Sequence, residues 1–122
     1  MLNKAMNMSP NEPPVFVLWY DFTKWLLAKT EKFPKHVRFT LSQRIENLAL
    51  DITQELTIAR YSSSKKKRLF EINQKLDQVR ILLRLCHDME ILDHKGYRYA
   101  STQIDEAGKM LGGWRKQQAK NP

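Results

Sequence analysis

Apolar residues recur at alternating steps of three and four along most of this chain, the spacing that lines one face of an α-helix. The clearest run is Leu69, Ile72, Leu76, Val79, Leu83 and Cys86, which predicts a helix over 65–92. Upstream, Leu41, Ile45, Leu48, Ile52, Leu56 and Ala59 keep the same spacing and predict a helix over 35–61. Val15, Leu18, Phe22, Trp25 and Leu26 predict another over 14–32, with Trp19 and Tyr20 widening its apolar face. Tyr97, Ala100, Ile104, Ala107, Leu111 and Trp114 form a single seam over 96–115. No hairpin turn signal interrupts these runs.

The punctuation between them agrees. Pro13-Pro14 suits a helix start, where proline's missing N–H is not needed. Phe33-Pro34 ends the first helix, because the residue before a proline is pushed out of the helical region. Ser62-Ser63-Ser64 reads as a connector and N-cap. Asp93–Gly96 reads as a turn, with Gly96 as a helix stop. Residues 1–12 are polar and aperiodic, a flexible arm, and 117–122 form a basic tail, leaving 13–116 as one domain. Helices joined by short connections predict an all-α, antiparallel up-down-up-down four-helix bundle.

Two features exceed what a simple bundle needs. The first helix is rich in aromatics, which suits a wide buried face or a subunit contact. Towards its C-terminus the third helix carries a second stripe, Leu82, Leu85, Met89 and Leu92, with Ile81 and Ile91 beside it; that implies burial against several neighbours or another subunit. In the last helix Gly108 and Gly112 lie one turn apart and cost about 1 kcal/mol each relative to alanine. Either a neighbouring helix approaches closely there, or Gly112-Gly113 ends the helix.

Charge adds a functional direction. The chain holds 21 Lys and Arg against 13 Asp and Glu, a net charge of +8. Residues 1–60 carry 8 basic and 6 acidic side chains, and residues 61–122 carry 13 and 7. A basic half points to a polyanionic partner, whether nucleic acid, an acidic protein surface or an anionic membrane; the plain alternative is charge that merely confers solubility. No apolar run approaches the ~18 residues of a membrane span. A lone cysteine and no signal peptide in view point to a reducing cytoplasm.

On the third helix Arg80, Arg84 and His87 fall within about 40° of one another, a polar ridge able to dock an anion. Asp77 and Asp88 are spaced to engage the two arginines in surface ion pairs instead. Lys65-Lys66-Lys67-Arg68 opens the same helix, where cations oppose the macrodipole. Catalytic and metal chemistry find little support. His87, Asp88, Glu90, Asp93 and His94 lack metal-ligand spacing. Cys86 sits on the apolar stripe, where cysteine acts as a small hydrophobe. No cofactor-binding motif occurs, and no enzyme activity is expected.

Phe33-Pro34-Lys35, Phe39-Thr40-Leu41 with Gln43-Arg44-Ile45, Leu82-Leu83-Arg84-Leu85 and the run Asp105-Glu106-Ala107-Gly108-Lys109-Met110-Leu111-Gly112-Gly113-Trp114 follow in order. This resembles the accessory variability determinant (Avd) of diversity-generating retroelements, grouped with the four-helix-bundle proteins encoded in 23S rRNA intervening sequences. The resemblance implies a homopentameric barrel of four-helix bundles, non-catalytic, that associates with the retroelement reverse transcriptase and contacts template RNA or its cDNA in support of mutagenic reverse transcription. Departures are His36-Val37 after the first Phe-Pro-Lys and Ala107 where isoleucine is usual. Arg80, Arg84, His87 and Lys65, Lys66, Lys67 and Arg68 are then the expected nucleic-acid or partner contacts. Trp19, Phe33, Pro34, Gly108, Gly112, Gly113 and Trp114 are expected structural or subunit-contact positions. The alternatives are a stand-alone bundle of the intervening-sequence type and a structural oligomer with incidental charge.

Overall fold

Pro14 opens the first helix as its position suggests, its fixed φ matching a helical first turn. The computed structural model describes residues 12–120, with side chains through residue 118. The expected arm lies almost wholly outside the described residues. Four α-helices follow one another: α1 (Pro14–Glu31), α2 (Gln43–Tyr61), α3 (Lys65–Asp88) and α4 (His94–Lys120). No strand occurs among the described residues. α1 packs on α2 and α4, and α3 packs on the same two helices, which closes a four-helix bundle.

The core holds the six expected positions of α3, from Leu69 to Cys86, all buried. In α4 Ala100, Ile104, Ala107 and Leu111 are buried, with Tyr97 and Trp114 half-buried at the two ends of the seam. In α1 the stripe centres one residue away from the expected line. Trp19 is fully buried, while Leu18 and Trp25 are half-buried at its side. In α2 Ala49 is buried and Leu48 is not. The two shifts have one cause. Trp19 donates its Nε1–H to the Ala49 carbonyl at 3.0 Å, so a large ring sits against a small residue on the facing helix. Thr53 also donates to that carbonyl, at 3.0 Å. Part of the aromatic surplus of α1 is absorbed within the chain: Trp25 packs on Phe22 and on Tyr99 of α4, with ring centroids 5.6 and 4.8 Å apart, while Tyr20 stays 43% exposed. Trp19 therefore presents no surface to another subunit.

Four boundaries differ from expectation. The expected single helix over 35–61 is interrupted at its start by a 3₁₀ turn (Lys35–Val37) and a π turn (Arg38–Ser42). Val37 and Ser42, five residues apart, are both buried. An i→i+5 turn is what places residues five apart on one face. It leaves Phe39 79% exposed.

The third helix stops at Asp88, four residues before its apolar pattern runs out. Glu90 takes φ 62°. Ile91 N–H donates to the Cys86 carbonyl at 2.8 Å and Glu90 N–H to His87 at 3.0 Å. This is a Schellman stop built on a glutamate in the left-handed region, a geometry no glycine announces in the sequence. Gly96 is not a helix stop. It lies in the first turn of α4, where its N–H donates to Asp93 Oδ1 at 2.7 Å, an N-cap bond. A Cβ there would lie 2.9 Å from both Asp93 Oδ1 and Leu92 Cδ1, so a larger residue would displace the capping carboxylate or the buried leucine. At the far end α4 runs on to Lys120, through Gly112-Gly113 and into the expected tail, so the reading of those glycines as a helix stop does not hold.

Two substitutions at this corner carry opposite signs. Glu90→Gly relieves a left-handed side-chain position and should raise stability by about 1 kcal/mol. Gly96→Ala should lower it by about 1–3 kcal/mol through overpacking. Urea midpoints at unchanged m-value read both.

Candidate functional site

In an antiparallel bundle the start of α1, the end of α2, the start of α3 and the end of α4 meet at one end. Pro13, Val15, Arg60, Lys65, Trp114 and Gln118 accordingly line one cavity there. Residues 57–71 and 113–118 bring seven cations to this end, Arg60, Lys65, Lys66, Lys67, Arg68, Arg115 and Lys116, against one carboxylate, Glu71. Glu12, just before α1, is a second carboxylate nearby. At the opposite end, residues 29–38 and 84–98 set seven cations against four carboxylates. The charge asymmetry of the sequence is thus an asymmetry between the two ends of the bundle.

Lys66, Lys67 and Arg68 are exposed, and Lys65 is half-buried. Their place at the N-terminus of α3, unfavourable for that helix alone, is offset by the C-termini of α2 and α4 beside it, whose dipoles favour cations. The Arg60 guanidinium lies 5.1 Å from the Tyr61 ring centroid and that of Arg115 5.3 Å from Phe70. Both contacts hold a guanidinium beside an aromatic ring.

The expected ridge of Arg80, Arg84 and His87 is broken up. All three lie on the side of α3 that meets α4. Arg80 Nη2 reaches Asp105 of α4 at 2.9 Å, and its Nη1 reaches Asp77 at 3.5 Å. Its charge is engaged by two carboxylates, one of them on another helix and invisible to helical spacing. His87 stacks on Tyr97, ring centroids 4.7 Å apart and planes 20° apart, and its Nδ1 lies 3.5 Å from Asp88. Asp88 thus serves His87 and leaves Arg84 exposed, with no carboxylate partner among the described residues. Of the seven expected contact residues, the structure brings Lys65–Arg68 together with Arg60, Arg115 and Lys116 and sets Arg80 and His87 apart. Arg60, Arg115 and Lys116 were missed because their clustering needs the antiparallel topology, which connects chain ends that local spacing treats as unrelated.

Gly108 has only Asn73 Oδ1 near its Cβ position, at 3.9 Å, and Gly112 and Gly113 have nothing within 4 Å. No helix of this chain presses on them. Phe33 is half-buried against the core, and Pro34 is exposed. The apolar surplus of α3 stays on the surface: Ile81, Leu85 and Met89 are 57, 43 and 49% exposed. Ile81 and Leu82 face Leu48 of α2 across a groove of about 610 Å³ rimmed by Arg44, Asp51 and Asp77. No three His, Cys, Asp or Glu side chains converge as a metal site among the described residues. No described helix is long and apolar enough to cross a membrane. Cys86 is buried, and that burial pushes its thiol up to about 11.

Fold and site together define an all-α four-helix bundle whose cations are least offset by carboxylates at one end. The chain belongs to the bAvd-like family, whose model matches residues 17–118 and so takes in all four helices and most of the cationic end. No curated protein and no solved structure gives a match.

Two outcomes follow. Gly112→Ala with Gly113→Ala should raise stability by about 1 kcal/mol per site, read from the urea midpoint at unchanged m-value, because α4 continues through open space there; loss of self-association in sedimentation would instead assign the glycines to a subunit contact. The raised Cys86 thiol contributes stability that is complete below pH 9.0 and is lost as pH rises to about 11. Cys86→Ala should flatten that part of the stability profile relative to the parent chain, read from urea midpoints between those pH values.

Proposed function

We propose that this protein is a non-catalytic accessory factor of a diversity-generating retroelement that binds the element's reverse transcriptase and its template RNA or cDNA, in support of mutagenic reverse transcription. Membership of the bAvd-like family supports the accessory role. The observation that carries the nucleic-acid part is the end of the bundle where seven cations meet one carboxylate within residues 57–71 and 113–118. Lys66, Lys67 and Arg68 lead, because they are exposed and share that end with Arg60, Arg115 and Lys116. Arg84 is a secondary contact. Arg80, held by Asp77 and Asp105, contributes least.

The mechanism is electrostatic. Lysine and arginine side chains neutralise phosphates and release condensed counterions, so affinity falls steeply with salt and carries little sequence preference. The exposed Ile81, Leu85 and Met89, beside the Leu48–Leu82 groove, are the surface through which copies of the chain associate. In this reading they build the homopentameric barrel, which repeats the cationic end around a ring and multiplies its field.

Replacing Lys66, Lys67 and Arg68 by alanine should flatten the slope of log K against log salt for single-stranded RNA by about 2, at about 0.7 for each phosphate no longer neutralised. Affinity near 0.15 M salt should fall at least about tenfold, while Arg80→Ala stays within about twofold. Co-purification of the parent chain with the cognate reverse transcriptase tests the protein partner. An unchanged slope in the triple variant would remove the cationic end from the reading; an oligomer that never retains the polymerase would remove the polymerase.

A further inference from the structure

The cavity at the cationic end is more than a gap between helix termini. Its lining is apolar at Pro13, Pro14 and Val15 of the α1 start and at Met110 and Trp114 of α4, and polar at Arg60, Lys65, Gln117 and Gln118. Its volume of about 520 Å³ lies within the range of small-ligand pockets. Trp114 rests against the core by part of its ring and is open over the rest. A half-open indole in a cavity that cations also line has little to gain from water. Solubility explains the lysines but not the ring, and the bundle core explains only the buried part of it.

A planar group that is apolar on its faces, polar at its edges and attached to an anion matches these walls. An unpaired nucleobase on its phosphate backbone has that chemistry: every base offers a face to an aromatic ring, and each backbone unit offers a negative charge to Lys65 and Arg60. A base inside a duplex has no free face to offer. We propose that this cavity takes an unpaired nucleobase stacked on Trp114, with the adjoining phosphates against Lys65 and Arg60, so that the cationic end binds single-stranded nucleic acid by its bases as well as by its charge. The proposal rests on the reading of that end as the nucleic-acid surface and adds base stacking to it. Gln118, which also lines the cavity, can meet the edge of different bases because an amide both donates and accepts.

The test separates base from charge. The full-length chain carrying Trp25→Phe, which leaves Trp114 and the fully buried Trp19 as its tryptophans, is titrated with a single-stranded oligonucleotide and with an abasic strand of equal length and charge. The base-bearing strand should bind about tenfold tighter and quench the Trp114 emission. Trp114→Leu should bring it down to the affinity of the abasic strand. Trp114→Phe, which keeps a stacking face and is the control should the leucine variant fail to fold by circular dichroism, should keep a difference of about threefold. Equal binding of the two strands by the parent chain, with both weakened by alanine at Lys66, Lys67 and Arg68, would overturn the stacking site and leave the electrostatic reading standing. Binding of neither strand would overturn both.

Discussion

A buried tryptophan needs an acceptor for its indole N–H, and this bundle is arranged around the one it finds. Trp19 is fully enclosed, and the carbonyl of Ala49 on the facing helix takes its proton at 3.0 Å. Without that acceptor the burial would leave a polar group unpaired in the core, at a cost of about 1–3 kcal/mol. The bond sets the register of α1 against α2. Thr23, which donates to the Trp19 carbonyl at 2.7 Å, and Thr53, which donates to Ala49, extend a polar thread between the same two helices. With that register set, Phe22 and Leu26 fall into the core and Trp25 turns to Tyr99 of α4. Much of the aromatic excess of the first helix is thereby packed inside one chain, although Tyr20 stays 43% exposed, and Ile81, Leu85 and Met89 leave apolar surface on the outer side of α3.

Closing the bundle also decides where its charge goes. The helices alternate in direction, so segments far apart in the chain share an end. Lys65–Arg68, Arg60 and Arg115 meet there because of topology, with the C-termini of α2 and α4 easing the presence of cations at the start of α3. The same closure works against the α3 ridge. Arg80 meets Asp105 across the α3–α4 seam, and His87 meets the ring of Tyr97. A surface ion pair of this kind is worth little in stability, with a median of about 0–1 kcal/mol, but it directs charge away from a ligand. Which cations stay available is thus set by helix neighbours and not by the density of arginine on a helix.

The corner between α3 and α4 shows how much shape a few residues enforce. Glu90 in the left-handed region ends α3 and turns the chain, Asp93 caps α4, and Gly96 leaves room for both Asp93 and Leu92. The corner brings His87 against Tyr97 and places Leu92 in the core. The two helix ends joined here would otherwise be free to fray.

The periodic stripes by themselves determined the number of helices, the all-α class and most of the core, because burial of one helical face is a local property that a spacing of three and four records directly. The six α3 positions from Leu69 to Cys86 and the α4 seam were legible for that reason. Family membership was legible too, since motifs such as Leu111-Gly112-Gly113-Trp114 are read in sequence order. Only the tertiary structure decided the centring on Trp19, the π turn that buries both Val37 and Ser42, the glutamate that ends α3, and the capture of Arg80 by Asp105. Each depends on a partner across the bundle or on a backbone conformation that no single residue type announces. Residue spacing carries which face a side chain is on; what it meets there is set by the fold.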